Sequence, residues 1–353
     1  MNKAITTTDP AHLAELNDIM QQAGQAANEK AERAIFAMRE TGKSRETLRR
    51  NRADIAVFEN YLQSVGVPAV ELYDNPQAWR GVTWALVEGF KAWQLGQGYA
   101  ISSINIRLST ARMFAELAAK AGAITAQESI LIASVKGYAP HEGKHVDETR
   151  KAEGMDTRRG AKKAEAVTIP EDVAQALKQQ PDIPQGRRDA FVMCLLLDHG
   201  LRVGEIAILT RQAFDMKAGT ITFYRLKVNK TQTHTLTADT RKAAAAYFKH
   251  DAPADGILWR RSCKGTGKLS SQMSEKSATR ALTKRVELLG RHEGIEGLSA
   301  HDARHYWATY EARNKTAVDR LMDAGGWSSP AMPLRYIETA HIANEGTARV
   351  KAT

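Results

Sequence analysis

The spacing of apolar residues predicts a helical bundle in the first third of the chain. Four apolar residues recur at intervals of three or four, the period of one face of an amphipathic helix, and this helix ends near Gly66. They are Ile55, Phe58, Leu62 and Val65. Further helices are predicted over 75–95 and 104–122. Residues 44–140 are therefore expected to form a helical domain.

The segments on either side of this bundle lack the pattern of a packed core. Residues 10–41 are rich in good helix formers but have few apolar positions, so 1–43 are predicted to be a helical arm or linker. Residues 141–168 contain seven Lys or Arg, six Asp or Glu, few apolar residues and no periodicity. This composition predicts an interdomain linker.

A second domain, 169–340, is predicted to be mainly helical with a small antiparallel β-sheet. The apolar run in 187–197 predicts a buried helix that ends at His199 and Gly200, with a new helix from Val203. Alternating β-branched and aromatic residues predict a strand over 219–228, which turns at 229–230 and pairs with 233–237. The remainder is predicted to be helical apart from a loop at 260–268, and 341–353 form a C-terminal tail. The expected fold class is mainly α, with an N-terminal helical bundle and a C-terminal mixed α+β domain.

Length and composition agree with a soluble globular protein of two domains. The chain has 353 residues, of which 43% are hydrophobic and 25% are charged. No apolar run is long enough to cross a bilayer, and the N-terminus lacks the apolar segment of a secretory signal. Two cysteines, Cys194 and Cys263, cannot build a disulfide framework. We therefore expect a cytoplasmic protein without a membrane partner.

The charge balance indicates an anionic partner. The formal net charge is +10, and basic residues cluster at 39–52 and 260–291. Nucleic acid is the favoured partner class, whereas a solvated helical surface is the alternative explanation of such clusters. The residues expected to contact a DNA backbone are Arg45, Arg49, Arg50, Arg52, Lys264, Lys268, Arg280 and Lys284.

Four short segments of the second domain carry residues suited to a phosphodiester. In HGLRVGEI, a glycine ends one helix and Arg202 is presented near the start of the next. Lys227 is expected on the strand just before the hairpin turn. His301 and Arg304, three residues apart, project from one helical face, and a glycine turn presents Trp327. Nine residues after that tryptophan, a helical stretch presents Tyr336. Each of the four segments alone is a weak signal of function.

In order and spacing, these segments resemble the tyrosine recombinases, or phage integrases, which include the Xer-, lambda-integrase- and Cre-like enzymes. The resemblance covers about 169–340, and a weaker one links 44–122 to the core-binding domain of that family. HGLRVGEIAIL resembles the first arginine box, which implies that Arg202 is the catalytic arginine and that Glu205 accompanies it. RLKVNK resembles the hairpin with the catalytic lysine, which implies Lys227, with Lys230 as the alternative.

Two further boxes complete the resemblance. LSAHDARHYWAT resembles the HxxR box and implies catalytic roles for His301 and Arg304. GGWSSPAMPLRYIE resembles the final box, with Tyr336 as the nucleophile and Trp327 where most members have a second histidine. The family fold would make 169–340 a catalytic domain of the DNA breaking-rejoining type.

The implied chemistry is consistent with these side chains. Two guanidiniums can clamp the non-bridging oxygens of a pentacoordinate phosphorus, and cationic neighbours would favour the phenolate of Tyr336. Lys227 can protonate the departing 5′-oxygen, while Glu205 is expected to orient Arg202 or His301 and not to carry a proton. We expect no metal, no ATP and no other cofactor, since the cations are supplied by side chains and no P-loop is present.

The resemblance also implies partners. They are double-stranded DNA with a specific, inverted-repeat site, three further copies of the chain in a tetramer, and accessory DNA-bending proteins. The tail at 341–353 is either a docking segment for a neighbouring copy or a frayed terminus. A nucleoid-associated recombinase is the expected function, and the alternatives are a non-cleaving site-specific DNA-binding protein and a type IB-like topoisomerase.

Overall fold

The computed structural model describes residues 10–160, 166–263, 266–270 and 274–340. The chain divides into two compact units, 1–164 and 165–353, which are described separately. The mainly helical fold class with a three-stranded antiparallel sheet, expected from the sequence, is confirmed. Among the described residues, no helix is both long and apolar enough to span a membrane.

In the described part of the first unit, residues 10–160, all regular secondary structure is helical. The helices are α1 (Pro10–Thr41), α2 (Arg45–Ser64), a 3₁₀ turn (Pro76–Trp79), α3 (Trp84–Gly96), α4 (Ile101–Lys120), α5 (Ala126–Ser134) and α6 (Pro140–Ala152). Ser44 caps α2 by accepting a hydrogen bond from the Thr47 N–H at 3.2 Å. The core is aromatic, and the buried Trp79 donates its indole N–H to the Leu72 carbonyl oxygen at 2.8 Å.

The secondary structure of this unit differs from expectation at two places. The helix predicted over 75–95 is interrupted, because Gly81 adopts a left-handed conformation (φ +88°) and Thr83 caps a new helix, α3. The predicted linker 141–168 begins with most of α6. This polar helix is held by the buried Arg150, which donates to the Asp147 carboxylate at 2.9 Å and to the Leu95 carbonyl at 3.1 Å.

The second unit packs its helices around a long buried helix and a small sheet. Its helices are α7 (Glu171–Lys178), α8 (Pro184–His199), α9 (Val203–Ala207), α10 (Ala238–His250), α11 (Glu275–His292), α12 (Ala300–Arg313), α13 (Val318–Gly325) and α14 (Ala331–Ala340). Its strands are β1 (Phe214–Asp215), β2 (Thr220–Arg225) and β3 (Lys230–Thr235), and a 3₁₀ turn (Arg211–Ala213) precedes β1. Residues 191–197 of α8 are all buried, as expected for a helix that lies inside the core. A smaller cluster that contains Trp307, Leu321 and Tyr336 joins α12, α13 and α14.

The hairpin of β2 and β3 is shorter and turns earlier than predicted. β2 ends at Arg225, which pairs with Lys230, so Lys227 lies in the turn and not on a strand. Asn229 closes this turn in a left-handed conformation (φ +50°), which asparagine tolerates better than most residues. The return strand therefore starts three residues before the predicted position.

Candidate active site

Arg202 lies where the chain passes from α8 into α9. Gly200 ends α8 with φ +59°, and a Cβ there would lie 2.2 Å from a ring carbon of Trp307, so this sharp turn needs glycine. The Arg202 backbone N–H donates to Glu205 Oε2 and its Nη1 donates to Glu205 Oε1, both at 2.8 Å. The Arg202 side chain remains 26% exposed. Its guanidinium is oriented by one carboxylate and can still bind an anion.

Glu205 is buried and binds a second guanidinium, that of Arg225. Arg225 Nη1 donates to the two carboxylate oxygens of Glu205 at 3.2 and 2.9 Å. Because one buried carboxylate faces two arginines, this cluster has a net positive charge, which favours a phosphate nearby.

Arg304, on α12, connects the segment of the first arginine box with the segment of the final box. It is 3% exposed, donates from Nη1 to the Gly200 carbonyl oxygen at 2.5 Å and donates from Nη2 to the Gly325 carbonyl oxygen. Its guanidinium carbon lies 4.8 Å from the centroid of the Trp327 ring. The arginine therefore holds together the two turns that present Arg202 and Trp327.

His301 is exposed on α12 and pairs with a second histidine one turn later. The Nε2 atoms of His301 and His305 are 3.1 Å apart, and the two rings pack edge to face. His305 also packs edge-on against the Tyr336 ring, with centroids 5.1 Å apart. Burial, followed by the neighbouring His301, lowers the pKa of His305, so its imidazole is neutral at neutral pH.

Trp327 and Tyr336 are brought together by the end of α13 and by α14. Gly326 ends α13 with φ +59°, and the Trp327 ring packs against Gly325, where a Cβ would lie 2.2 Å from a ring carbon. The Trp327 ring lies 5.5 Å from the Tyr336 ring and 6.1 Å from the Trp307 ring, measured between centroids. Tyr336 is 3% exposed.

The electrostatics of the site place Tyr336 among arginines. Burial raises the pKa of Tyr336, and the charges of Arg304, Arg335 and Arg202 oppose this effect only in part. As expected, the cationic neighbours favour the phenolate, but desolvation is the larger effect and the net shift of the Tyr336 pKa is upward. Burial, Arg202 and Arg225 lower the pKa of Arg304 to about 9, which leaves it charged at neutral pH.

The two candidate lysines differ in their contacts. Lys230 Nζ binds Asp323 Oδ1 at 2.6 Å. Lys227 is exposed in the turn, and no hydrogen bond or ion pair connects it to another described residue. The structure thus brings together the arginines, the histidine, the tryptophan and the tyrosine but leaves Lys227 on a projecting turn.

The comparisons with known proteins agree with this site. Residues 168–341 match the family model described as Phage integrase family. Residues 168–341 of the chain belong to this family of tyrosine recombinases. A tyrosine recombinase is an enzyme that transfers DNA strands.

One curated relative and two solved structures illustrate the match. Tyrosine recombinase XerC of Histophilus somni (strain 2336) is 23% identical over 291 residues, which cover 80% of this chain and 87% of that protein. A lambda integrase dimer bound to a COC′ core site has a TM-score of 0.56 at 16% identity, with 92% of this chain and 97% of that chain covered. The Tn1549 transposon integrase in complex with transposon right end DNA has a TM-score of 0.56 at 14% identity, with 86% and 93% covered. The two solved structures show that this recombinase shares their fold.

The described DNA-backbone candidates of the recombinase are all exposed. Arg49 already binds Glu46 at 2.5 Å, and Arg52 binds both oxygens of Asp74 at 3.0 and 3.1 Å. Exposed pairs of this kind are weak, so a phosphate can compete for the arginine. The other exposed candidates are Arg45, Arg50, Lys268, Arg280 and Lys284. Lys264 lies outside the described residues.

Two residues of the recombinase site, Arg225 and His305, are absent from the sequence-based assignments. Arg225 occupies an inward-facing strand position, where a charged residue is unusual, and the alternation of Ile221, Phe223 and Arg225 is the signal that reveals it. His305 is four residues after His301, the spacing that places two side chains on one helical face. Among the described residues, no group of three or more His, Cys, Asp or Glu is placed to hold a metal ion.

Proposed function

We propose that this recombinase acts at specific DNA sites and cuts and rejoins strands through a covalent 3′-phosphotyrosine on Tyr336. The observation that carries the proposal is the position of Tyr336, which packs on Trp327 and His305 and interacts electrostatically with Arg304 and Arg202. A tyrosine buried against a tryptophan and facing two guanidiniums is suited to attack a bound phosphate.

In the first step, the two arginines bind the non-bridging oxygens of the scissile phosphate. Arg202 offers the exposed part of its guanidinium, and Arg304 offers the N–H groups that do not bind the carbonyls of Gly200 and Gly325. Glu205 holds Arg202 in place and transfers no proton. His301 and the Trp327 indole N–H add hydrogen bonds as charge develops on the phosphorane.

In the second step, the Tyr336 oxygen attacks phosphorus. Burial raises the pKa of the phenol and so favours its protonated form, whose proton has to leave as the new P–O bond forms. His305, a neutral imidazole packed on the phenol ring, is a suitable base. The bond from phosphorus to the 5′-oxygen breaks, and Lys227 gives a proton to that oxygen.

Religation is the reverse reaction with a different 5′-hydroxyl. The phosphotyrosine keeps the energy of the broken diester, so the proposal needs no ATP. Side chains supply the positive charge, and the proposal assigns no step to a metal ion. The proposed catalytic domain is 169–340, the proposed core-binding domain is 44–140, and 141–168 connect them.

The proposed partner is double-stranded DNA with an inverted-repeat site, bound by four copies of the chain. A strongly basic cleft of about 740 Å³ beside α11 supports a DNA partner. Its six cationic lining residues are Arg188, Arg261, Lys276, Arg280, Lys284 and Arg285. We further propose that accessory DNA-bending proteins assist, that the tail at 341–353, outside the described residues, docks on a neighbouring copy, and that the enzyme works at the nucleoid.

The experiment that tests this function begins with DNA fragments selected from a genomic library by the full-length protein. Footprinting of the selected fragments is expected to reveal paired inverted half-sites. A plasmid with two such sites is then expected to yield excised or inverted products, which are lost in Tyr336→Phe. Relaxation of supercoils without exchange of sites would identify a topoisomerase, and binding without cleavage would identify a DNA-binding protein.

A further inference from the structure

A buried arginine outside the assigned set, Arg225, binds three separate segments of the second unit. It is the last residue of β2, and its side chain is 0% exposed. Nη1 donates to the carboxylate of Glu205 in α9, Nη2 donates to the Ala324 carbonyl of α13 at 2.6 Å, and Nε donates to Gln232 Oε1 of β3. Its diverging N–H groups are used in three directions, which a lysine ammonium cannot reproduce.

Two of these segments carry proposed catalytic groups. The carboxylate of Glu205 also holds Arg202 at 2.8 Å. The carbonyl acceptor in α13 directly precedes the glycine turn that presents Trp327. A Cβ on Gly326 would lie 2.5 Å from Arg225 Cδ, so the backbone of this turn packs directly against the arginine side chain.

The third segment is the base of the hairpin. Arg225 immediately precedes the four-residue turn 226–229, which carries Lys227. On the opposite strand, Gln232 donates from Nε2 to the Asp323 carbonyl oxygen at 2.5 Å. Both strands are therefore attached to the end of α13 at the point where the turn begins.

We infer that Arg225 is a positioning residue that holds the hairpin so that Lys227 can reach the 5′-oxygen. This inference rests on the proposed function, in which Lys227 is the acid. A lysine on an exposed turn reaches a fixed atom only if the base of the turn is immobile. A displacement of about 1 Å in such a group can reduce a rate about 100-fold.

The leaving group of the substrate provides a test that loss of stability alone does not mimic. The substrate is a site DNA with a nick close to the scissile phosphate, which traps the cleaved state. It is prepared with the ordinary 5′-oxygen or with a bridging 5′-sulfur at that phosphate. A thiolate is a far better leaving group than an alkoxide and needs no proton from an acid.

We expect Arg225→Lys to slow single-turnover cleavage of the oxygen substrate by roughly 30- to 100-fold. On the sulfur substrate, the expected loss is smaller by about 10-fold or more, because positioning of the acid no longer matters there and only the effect on Arg202 and the Trp327 turn remains. Lys227→Ala is expected to show the same pattern with a larger loss on oxygen, in the range of about 10²- to 10⁴-fold.

Arg188→Lys is the matched control. Arg188 is also buried in the second unit, where it binds the Asp189 carboxylate at 2.6 Å and the Arg260 carbonyl at 2.7 Å. Any loss that it causes is expected to be equal on the two substrates. Equal losses for Arg225→Lys, or no loss on either substrate, would overturn the inference about Arg225.

The inference and the proposed function fail separately. If sulfur rescues Lys227→Ala but not Arg225→Lys, Lys227 remains the acid and only the role of Arg225 is wrong. If sulfur does not rescue Lys227→Ala, the proposed acid is wrong. Should Arg225→Lys fail to fold, Gln232→Ala keeps the arginine but removes its link to β3, and the same comparison on the two substrates then decides.

Discussion

The phenol ring of Tyr336 and the indole ring of Trp327 lie side by side, with centroids 5.5 Å apart and planes inclined by 31°. Under the proposed function, one subunit would present the nucleophile Tyr336 next to the Trp327 indole N–H, which can donate a hydrogen bond to the phosphate. The proposal therefore includes attack by the tyrosine of the same subunit whose arginines bind the phosphate. The arrangement also separates two roles of Trp327, ring packing and N–H donation.

Replacement of Trp327 tests these two roles. Trp327→Phe keeps an aromatic ring against Tyr336 but removes the indole N–H, so cleavage is expected to slow by about 10- to 100-fold, the value of one hydrogen bond to a charged group. Trp327→His restores a ring N–H and is expected to recover part of the rate. Single-turnover cleavage and DNA affinity should be measured together. A wild-type cleavage rate for Trp327→Phe would show that the indole N–H is not used.

The carboxylate of Glu205 is expected to matter for stability as well as for cleavage. Glu205→Gln removes the charge that compensates the fully buried Arg225, and loss of one partner from a buried ion pair costs about 3–5 kcal/mol. Denaturant unfolding of the wild type and of Glu205→Gln checks this value. Glu287→Gln is the control, since its partner Arg291 is half exposed and such pairs contribute about 0–1 kcal/mol. Equal stability of the two variants would contradict the assigned role of Glu205.

Two neutral histidines predict a loss of stability in acid. Burial lowers the pKa of His199 and that of His234 to about 4, below the value of about 6.5 that we assign to the unfolded chain. The unfolded state therefore binds protons first as pH falls. The stabilisation is complete above pH 6.5 and is lost as pH falls towards 4, by about 3 kcal/mol for His199.

Urea unfolding at several pH values between 7 and 4 checks this prediction. His199→Gln keeps a hydrogen-bonding group for Thr240, the partner of His199 at 3.1 Å, but cannot take up a proton. Its stability is expected to fall less steeply with pH than that of the wild type. Parallel pH profiles would mean that His199 does not contribute.

The basic cleft beside α11 predicts a steep dependence of DNA affinity on salt. Each phosphate contact contributes about 0.9 to the slope of log affinity against log salt concentration. Arg280→Ala and Lys284→Ala are each expected to reduce the slope by about one, whereas Lys217→Ala, an exposed lysine outside the cleft, should leave it unchanged. Unchanged slopes for the two cleft variants would remove this surface from the DNA interface.

Much of the site could be predicted because its chemistry needs particular residue types at a characteristic spacing. Short segments of the sequence predict site roles for Arg202, His301, Arg304 and Tyr336, and the structure brings these segments together. Their catalytic roles remain predictions until variants are measured. Family membership and the mainly helical fold with its small sheet are confirmed.

The remaining features depend on tertiary structure, which local patterns do not contain. The alternation of residues in β2 does not show whether the inward-facing Arg225 has hydrogen-bond partners in the core, because these partners come from α9, α13 and β3. The turn position of Lys227 depends on the left-handed Asn229 and on where β2 is anchored. Helix α6 has too few apolar positions for detection and depends on the buried Arg150. The raised pKa of Tyr336 likewise results from burial, which its neighbours in sequence do not determine.

The proposed covalent bond between Tyr336 and DNA is tested most directly by trapping it. Incubation of the protein with a nicked site DNA is expected to give an adduct that resists denaturant. Mass spectrometry of its tryptic peptides should place the nucleotide on Tyr336, and Tyr336→Phe should bind the site but form no adduct. An adduct that persists in Tyr336→Phe, or its absence from wild-type protein that binds the site tightly, would contradict the account.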